Sequence, residues 1–291
     1  MNTVTKNDQT VVSKRMKNGY TQQLIKTKLN IGIVGLGVVG SACKYGFMKL
    51  GHNIYEHDLK LNTSLKDLKK TDICYICVPT PSNSDGSCDS SIVEKVVNQL
   101  ANMDYKGIVA LKSTVTPGTT KRLKESTNLK MCFVPEFLRE RCAISDFTEN
   151  HDLLAIGTSD EDIYHLIKQS HGKFPKKVVK LSTTEAELLK YYSNVFNALR
   201  ITFANAFYEI STRLNANYTK IKDAFMLRGT TVDMYMDVNE NFRGYAGVCL
   251  PKDTAAIAAL VKDLKLDLTL FETIERDNKK YKKTVFEGMR L

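Results

Sequence analysis

A glycine-rich turn between an apolar run and a helical pattern constrains this chain more than any other feature. Leu29 to Val34 is a short apolar strand, followed at once by Gly35-Leu36-Gly37-Val38-Val39-Gly40. An apolar helix pattern then runs from about Val38 to Leu50 and ends at Gly51-His52. The spacing G-x-G-x-x-G says little by itself, but between a strand and a helix it has a mechanical meaning. Gly35 permits the tight turn, Gly37 lets a pyrophosphate approach bare backbone, and Gly40 lets the helix lie close on the strand. The helix N-terminus, at Val38 and Val39, offers free N–H groups and partial positive charge to that pyrophosphate. Asp58 ends a second strand (Ile54 to His57), 23 residues after Gly35. A carboxylate there accepts hydrogen bonds from the adenine ribose hydroxyls, which favours NAD over NADP; Lys60 stands nearby. The expected cofactor is NAD.

The rest of the chain alternates strand and helix patterns up to residue 181. Asp72 to Val78, Ile108 to Lys112, Met131 to Val134, Leu153 to Ile156 and Val178 to Leu181 read as strands, and Ile92 to Met103 as a helix. A Pro- and Ser-rich loop occupies 79–91. Such alternation implies an α/β fold with a mainly parallel, doubly wound sheet of Rossmann type. The character then changes. Ser182-Thr183-Thr184-Glu185 fits a capping box, and the pattern stays helical to about Leu214 with no Pro or Gly. Further helices are expected over Thr219–Leu227, Thr254–Leu264 and within 268–290. The expected organisation is a basic flexible extension (1–28), a dinucleotide-binding domain (29–181) and an all-helical domain (182–291).

Composition narrows the function classes. The chain has 291 residues, 43% hydrophobic and 25% charged, as folded proteins of this size have. The longest nearly uncharged apolar run, Ile31 to Cys43, is too short and too Gly-rich for a membrane span of roughly 20 residues. The net charge of +10 is uneven: residues 1–30 carry six basic residues against Asp8 alone. That is a solvated basic leader rather than a clustered stripe on a folded face, so neither a nucleic acid nor a membrane is expected as partner. Seven cysteines are scattered, and Cys74 and Cys77 sit inside an apolar run without a second pair to complete a zinc site. No metal is expected, and the odd cysteine count with no apolar leader points to a reducing, cytoplasmic setting.

Several later stretches carry chemistry. Cys249 lies in Gly247-Val248-Cys249-Leu250-Pro251-Lys252-Asp253. Proline is favoured in the first turn of a helix, so Cys249 is expected at a helix N-terminus near Lys252, where a thiolate is favoured. A thiolate there can add to an aldehyde, and the adduct can lose hydride to give a thioester. Gly244 and Gly247 let the preceding loop bend close to a substrate. Lys190 and Asn194 are spaced i, i+4 and share a helix face, where an ammonium and an amide suit a developing oxyanion. The plainer alternative is a solvated helical face with Glu187 pairing Lys190. Glu136 follows Pro135 at a strand end, and a carboxylate there could activate water.

These stretches recur in one order with Cys77-Val78-Pro79-Thr80-Pro81, Asp85-Gly86, Lys112-Ser113-Thr114 and Pro135-Glu136-Phe137-Leu138-Arg139-Glu140. Over about residues 29 to 265 the set resembles the UDP-glucose/GDP-mannose dehydrogenase family. The resemblance implies oxidation of a sugar C6 alcohol to a carboxylate in two steps, reducing two NAD⁺, with UDP-glucose as the first candidate substrate. It implies Cys249 as nucleophile, Lys190 and Asn194 around the oxyanion, and Glu136 on the hydrolytic water. Asp253 and Thr114 would hold a water or take the alcohol proton. Glu140, Lys252, Phe137, Leu138 and Gly247 would face the substrate. Val78, Pro79, Thr80, Thr114 and Glu140 would join the glycine turn around the cofactor.

It also implies a homodimer through the helix near 184–214. Tyr191, Phe196, Phe203 and Phe207 could serve that interface or an intramolecular core. The family carries a third, nucleotide-binding domain that nothing in 266–291 could form, and it places an Arg where Thr231 to Asp237 has none. Two other readings therefore stay open: a four-electron dehydrogenase of a smaller alcohol, and a non-turnover NAD-binding subunit.

Overall fold

The computed structural model describes residues 28–230 and 232–281. The expected extension, apart from Lys28, and the helical expectation beyond Tyr281 lie outside the described residues. One sheet contains β1 (Asn30–Val34), β2 (Asn53–His57), β3 (Ile73–Ile76), β4 (Ile108–Leu111), β5 (Lys130–Phe133), β6 (Leu153–Gly157) and β7 (Lys177–Leu181). Its order is β2-β1-β3-β4-β5-β6-β7. All neighbours are parallel except β5 and β6, which meet antiparallel at Phe133 and Gly157. The doubly wound reading holds, with β6 and β7 turned against the first five strands.

The apolar runs are strands because both faces of the sheet are covered. Along β3, Ile73 and Tyr75 enter one core and Cys74 and Ile76 the other. Along β4, Ile108 and Ala110 part from Val109 and Leu111 in the same way. The first core is closed by α1 (Val38–Lys49), α4 (Ala143–Thr148) and α5 (Glu161–His171), through Phe47, Phe147, Ile163 and Ile167. The second is closed by α2 (Ser91–Asn102) and α3 (Thr119–Thr127), through Val93, Val97, Leu100 and Leu123.

The sequence reading placed no helix at α3, α4 or α5. In α3, TTKRLKEST, Leu123 is the one large apolar residue, so no periodic stripe marks it. Its ends are backbone signals instead: Gly118 (φ +97°) and Asn128 (φ +56°) are left-handed. In α5, Asp160 caps the N–H groups of Asp162 and Ile163, a start signal that the apolar pattern alone does not reveal.

The helical half begins with α6 (Thr183–Arg213), opened by the expected capping box: Ser182 Oγ accepts from Glu185 N–H, and Glu185 returns a bond to Ser182 N–H. Then come α7 (Tyr218–Met226), α8 (Leu250–Asp263) and α9 (Leu270–Asn278). Side chains and loop packing join this half to the sheet half. Buried Glu187 of α6 accepts from Gly118 N–H, Thr120 N–H and Thr120 Oγ1, so it caps α3 and does not pair with Lys190. The loop 82–88 folds onto α8, where a Cβ on Gly86 (φ +88°) would stand 3.3 Å from Ala255. Tyr191 is buried within the chain, whereas Phe196, Phe203 and Phe207 are exposed along α6. Among the described residues, no helix is long and apolar enough to cross a membrane.

Candidate active site

The glycine turn sits where the strand order reverses, beside the C-terminal ends of β1 and β3, the position at which doubly wound sheets take ligands. Gly35 has φ +88°, and a Cβ there would lie 2.8 Å from the Cys77 carbonyl oxygen. A Cβ on Gly40 would lie 1.9 Å from the Gly35 oxygen, so only glycine lets α1 pack this closely. Gly37 is different: a Cβ there would meet open space. It is the N-cap of α1, makes no side-chain cap, and is followed by no acidic residue in the first turn. The N–H end at Val38 and Val39 therefore faces an open, uncapped approach, which fits a pyrophosphate.

Asp58 lies at the end of β2 as expected. Its Oδ2 accepts from Leu36 N–H at 2.7 Å and its Oδ1 from Lys60 N–H at 2.9 Å. These backbone bonds hold its carboxyl below the usual range. Asp58 thus braces the turn itself. Beside the turn, Ser113 Oγ donates to the Val78 carbonyl at 2.7 Å, locking the Val78-Pro79-Thr80 segment to the Lys112-Ser113-Thr114 loop. These residues fit a dinucleotide lying across the ends of β1, β3 and β4.

The second cluster gathers side chains far apart in sequence. Lys190 of α6 reaches the end of β5, where its Nζ lies 2.8 Å from Glu136 Oε1 and 2.7 Å from the Glu136 carbonyl. Both side chains are buried, 5% and 10% exposed. Glu136 Oε2 accepts from Leu138 N–H at 2.8 Å. Burial acts to raise the Glu136 carboxyl, but Lys190, the Leu138 bond and Lys112 outweigh it and hold it below its usual value. Burial likewise acts against the Lys190 ammonium, yet Glu136 and Asp253 leave it above its usual value. Lys190 also lies 5.9 Å from the Phe137 ring centre.

One turn along α6, Asn194 Nδ2 donates to Asp253 Oδ2 at 2.5 Å, and Lys252 Nζ donates to Asp253 Oδ1 at 2.8 Å. Asp253 is almost wholly buried. Both helix-face residues are thus turned inward onto carboxylates, and the solvated-face alternative fails. Thr114 offers its carbonyl to the Cys88 thiol, while Asp253 is occupied by Asn194 and Lys252. Glu140 is exposed in a short 3-10 turn, and its neighbour Arg139 makes the ion pair with Asp146.

Cys249 is the N-cap of α8, with Pro251 in the first turn, as the sequence implied. Gly247, just before it, has φ +84° and open space at its Cβ position. The expectation of a favoured thiolate needs correcting. Cys249 is exposed as a residue, yet the groups packed around its sulfur partly desolvate it and raise the thiol above its usual value; Glu136 and Asp253 push the same way, and Lys190 and Lys252 only partly offset them. The helix end brings the carboxylates along with the lysines. Two residues named in the sequence reading take roles it did not assign: buried Lys112, quoted there only within Lys112-Ser113-Thr114, adds a second ammonium near Glu136, and Glu187, offered as the partner of Lys190, caps α3 outside this cluster. Among the described residues no group of three or more His, Cys, Asp or Glu side chains could hold a metal ion.

A dinucleotide turn at a sheet switch point, with a cysteine at the mouth of a helix among paired lysines and carboxylates, defines a two-part dehydrogenase-type architecture. Residues 53–174 match the NAD binding domain of the UDP-glucose/GDP-mannose dehydrogenase family, and residues 184–280 match the central domain of that family. The chain belongs to this family.

It is 26% identical to the UDP-glucose 6-dehydrogenase AglM of Haloferax volcanii, over 80% of this chain and 66% of that protein. It is 32% identical to the UDP-glucose 6-dehydrogenase TuaD of Bacillus subtilis, over 73% of this chain and 47% of that protein. The chain therefore spans less than two thirds of these relatives' length. The solved UDP-glucose dehydrogenase of Pyrobaculum islandicum superposes with a TM-score of 0.80 at 27% identity, over 89% of this chain and 70% of that one.

Proposed function

We propose that this chain carries the oxidising machinery of a nucleotide-sugar 6-dehydrogenase, converting a UDP-glucose-type C6 alcohol to a carboxylate in two oxidations. The observation that carries the reading is the placement of Cys249 at the α8 N-terminus amid Lys190–Glu136 and Asn194–Asp253–Lys252. Gly35, Gly37, Val38, Val39, Gly40 and Asp58 would hold NAD, flanked by Val78, Pro79, Thr80, Thr114 and Glu140. Two NAD⁺ molecules, bound there in succession, would supply the hydride acceptors, one for each oxidation.

The chain's own groups supply the rest. Asp253, assisted by a water near Thr114, takes the proton of the C6 alcohol as it becomes an aldehyde. The Cys249 sulfur adds to the aldehyde carbon as the C=O π bond breaks, and the proton lost from the thiol passes to the former carbonyl oxygen, giving a thiohemiacetal. Lys190 and Asn194 donate to the oxygen of that adduct, and Lys252 adds a positive charge beside it. After the second oxidation the carbon is held as a thioester on Cys249. Glu136 then activates water, which attacks the thioester carbon and releases the carboxylate and the free thiol. Phe137, Leu138, Glu140 and Gly247 would line the path of the sugar.

The reading extends to assembly as a homodimer through α6. Leu188, Tyr192, Phe196, Phe203, Phe207, Ile210 and Leu214 are all exposed at steps of three, four or seven residues, which makes one apolar stripe.

The test is stoichiometry. Purified chain is incubated with NAD⁺ and with UDP-glucose or GDP-mannose, and NADH is counted per sugar consumed. Two NADH per sugar, abolished in Cys249→Ala, is the expected result. Two NADH from a smaller alcohol alone, or NAD binding without turnover of any substrate, would replace it with one of the other two readings.

A further inference from the structure

The loop that leads to Cys249 turns on two glycines. Gly244 (φ +59°) and Gly247 (φ +84°) both take left-handed backbone, and such glycines have the widest choice of conformations. Yet the turn at Arg243–Tyr245 is pinned from two helices. The Asn278 amide, at the end of α9, accepts from Tyr245 N–H at 2.7 Å and donates to Tyr245 C=O at 2.9 Å. It satisfies both backbone groups of one buried residue, as a neighbouring strand would. Asn205 of α6 accepts from Arg243 Nε at 2.7 Å and Gly244 N–H at 3.2 Å. A Cβ on Gly244 would come within 2.8 Å of Asn278 Oδ1, so the glycine is what permits the clamp. Asn278 is itself 7% exposed. One turn before it on α9, Ile274 packs into a cluster with Val195, Ala198 and Tyr245, against which Leu250 of α8 also rests.

We propose that Asn278 is the positioning residue for Cys249. It fixes the Tyr245 backbone, and with Asn205 it sets the path of the loop that ends at the α8 N-cap. Among the described residues its side-chain hydrogen bonds go to the Tyr245 backbone and to no group in the reacting cluster, so it acts through the loop. The inference rests on Cys249 being the nucleophile of the proposed reaction, and its test reads the loop and the sulfur separately from turnover.

The full chain is compared with Asn278→Ala and with Asn278→Asp, which keeps the oxygen facing Tyr245 N–H and loses the donor to Tyr245 C=O. Four quantities are measured: amide hydrogen exchange over 243–249, the rate of Cys249 alkylation by iodoacetamide, NAD affinity and the thermal midpoint. For Asn278→Ala, exchange at Tyr245 should quicken at least tenfold and Cys249 alkylation should change at least fivefold. NAD affinity should stay within twofold, and Asn278→Asp should fall between. With a sugar-nucleotide substrate, kcat should drop at least tenfold while KM for NAD stays within twofold.

If the native chain turns over no substrate but exchange and alkylation respond as described, the proposed function fails and the positioning role stands. Unchanged exchange and alkylation in both folded variants would overturn the positioning role, whatever the turnover. Global unfolding of both variants would also overturn it, because Asn278 would then hold the domain rather than the loop.

Discussion

Lys190 and Glu136 form a buried ion pair across 54 residues of sequence, with the ammonium shared between the carboxylate and the carbonyl of the same glutamate. The double grip joins α6 to the loop after β5, so it ties the helical half to the sheet at the point where the reacting groups meet. The same pair sets the charge of both partners, since each is held ionised against its own burial.

Removing one member of this pair should be costly. Lys190→Ala leaves the Glu136 carboxylate buried without its main counter-charge, and breaking such a pair costs about 3–5 kcal/mol. The sign with pH follows from the lowered Glu136 carboxyl. The pair's stabilisation is fully present above the ordinary glutamate value and is lost as pH falls through the lower folded value. Denaturant unfolding of the native chain and Lys190→Ala at pH 7 and pH 4 measures both; equal stability of the two proteins at pH 7 would contradict the assignment.

The raised Cys249 thiol makes a kinetic statement. Its alkylation rate should still be climbing at pH 9, because partial desolvation and the nearby carboxylates push the thiol above its usual value. In Lys190→Met the profile should move further up, since the largest influence favouring the thiolate is gone. A rate already level by pH 8 in the native chain would show that the sulfur is activated in the unliganded protein after all.

The glycines of the turn should separate folding from binding. Gly40→Ala sets a methyl against the Gly35 carbonyl and should lower the thermal midpoint as well as NAD affinity. Gly37→Ala meets only open space, so its midpoint should match the native chain while NAD affinity falls at least tenfold. Calorimetry with and without NAD reads both effects, and equal NAD affinity in Gly37→Ala would remove the pyrophosphate from that position.

Three histidines make the sheet half acid-sensitive. His52, His151 and His171 lie in an aromatic group with Phe47, Tyr75 and Phe147, and His171 has an unpartnered buried Nε2. Burial lowers all three, His151 to about 4 and His171 well below its usual value. Their folded values lie below the unfolded one, so they remain neutral in the fold while the unfolded chain takes up protons. Stability is therefore full above about pH 6.5 and declines as pH falls toward the folded values, by about 3 kcal/mol for His151 at pH 4. The thermal midpoint should drop steadily from pH 7 to pH 4.5, and replacing His151 by Phe should flatten that decline; a midpoint independent of pH would exclude it.

The alternation of strands and helices, the glycine turn, Asp58 and the α6 capping box were all legible in sequence, because each is written within a few neighbouring residues. α3 was not, since it lacks an apolar stripe; α5 was missed although its Asp160 cap and its apolar face of Ile163, Leu166 and Ile167 are both written locally. The residues of the candidate site were also legible as types, through spacing and resemblance. Their partners were not: Lys190 could equally have met Glu187, and nothing local in the chain chooses Glu136.

By itself the amino-acid sequence determined the periodicities, the positions of the glycines and the presence of one cysteine before a helix-opening proline, for these depend on local backbone sterics and hydrophobic spacing. Tertiary structure alone decided which charges pair, that Glu187 caps α3, that Cys249 is surrounded by carboxylates as well as lysines, and that Asn278 grips Tyr245. Those outcomes depend on distances between groups remote along the chain and on the burial that sets the strength of their interaction, and neither exists until the sheet and helices have packed together.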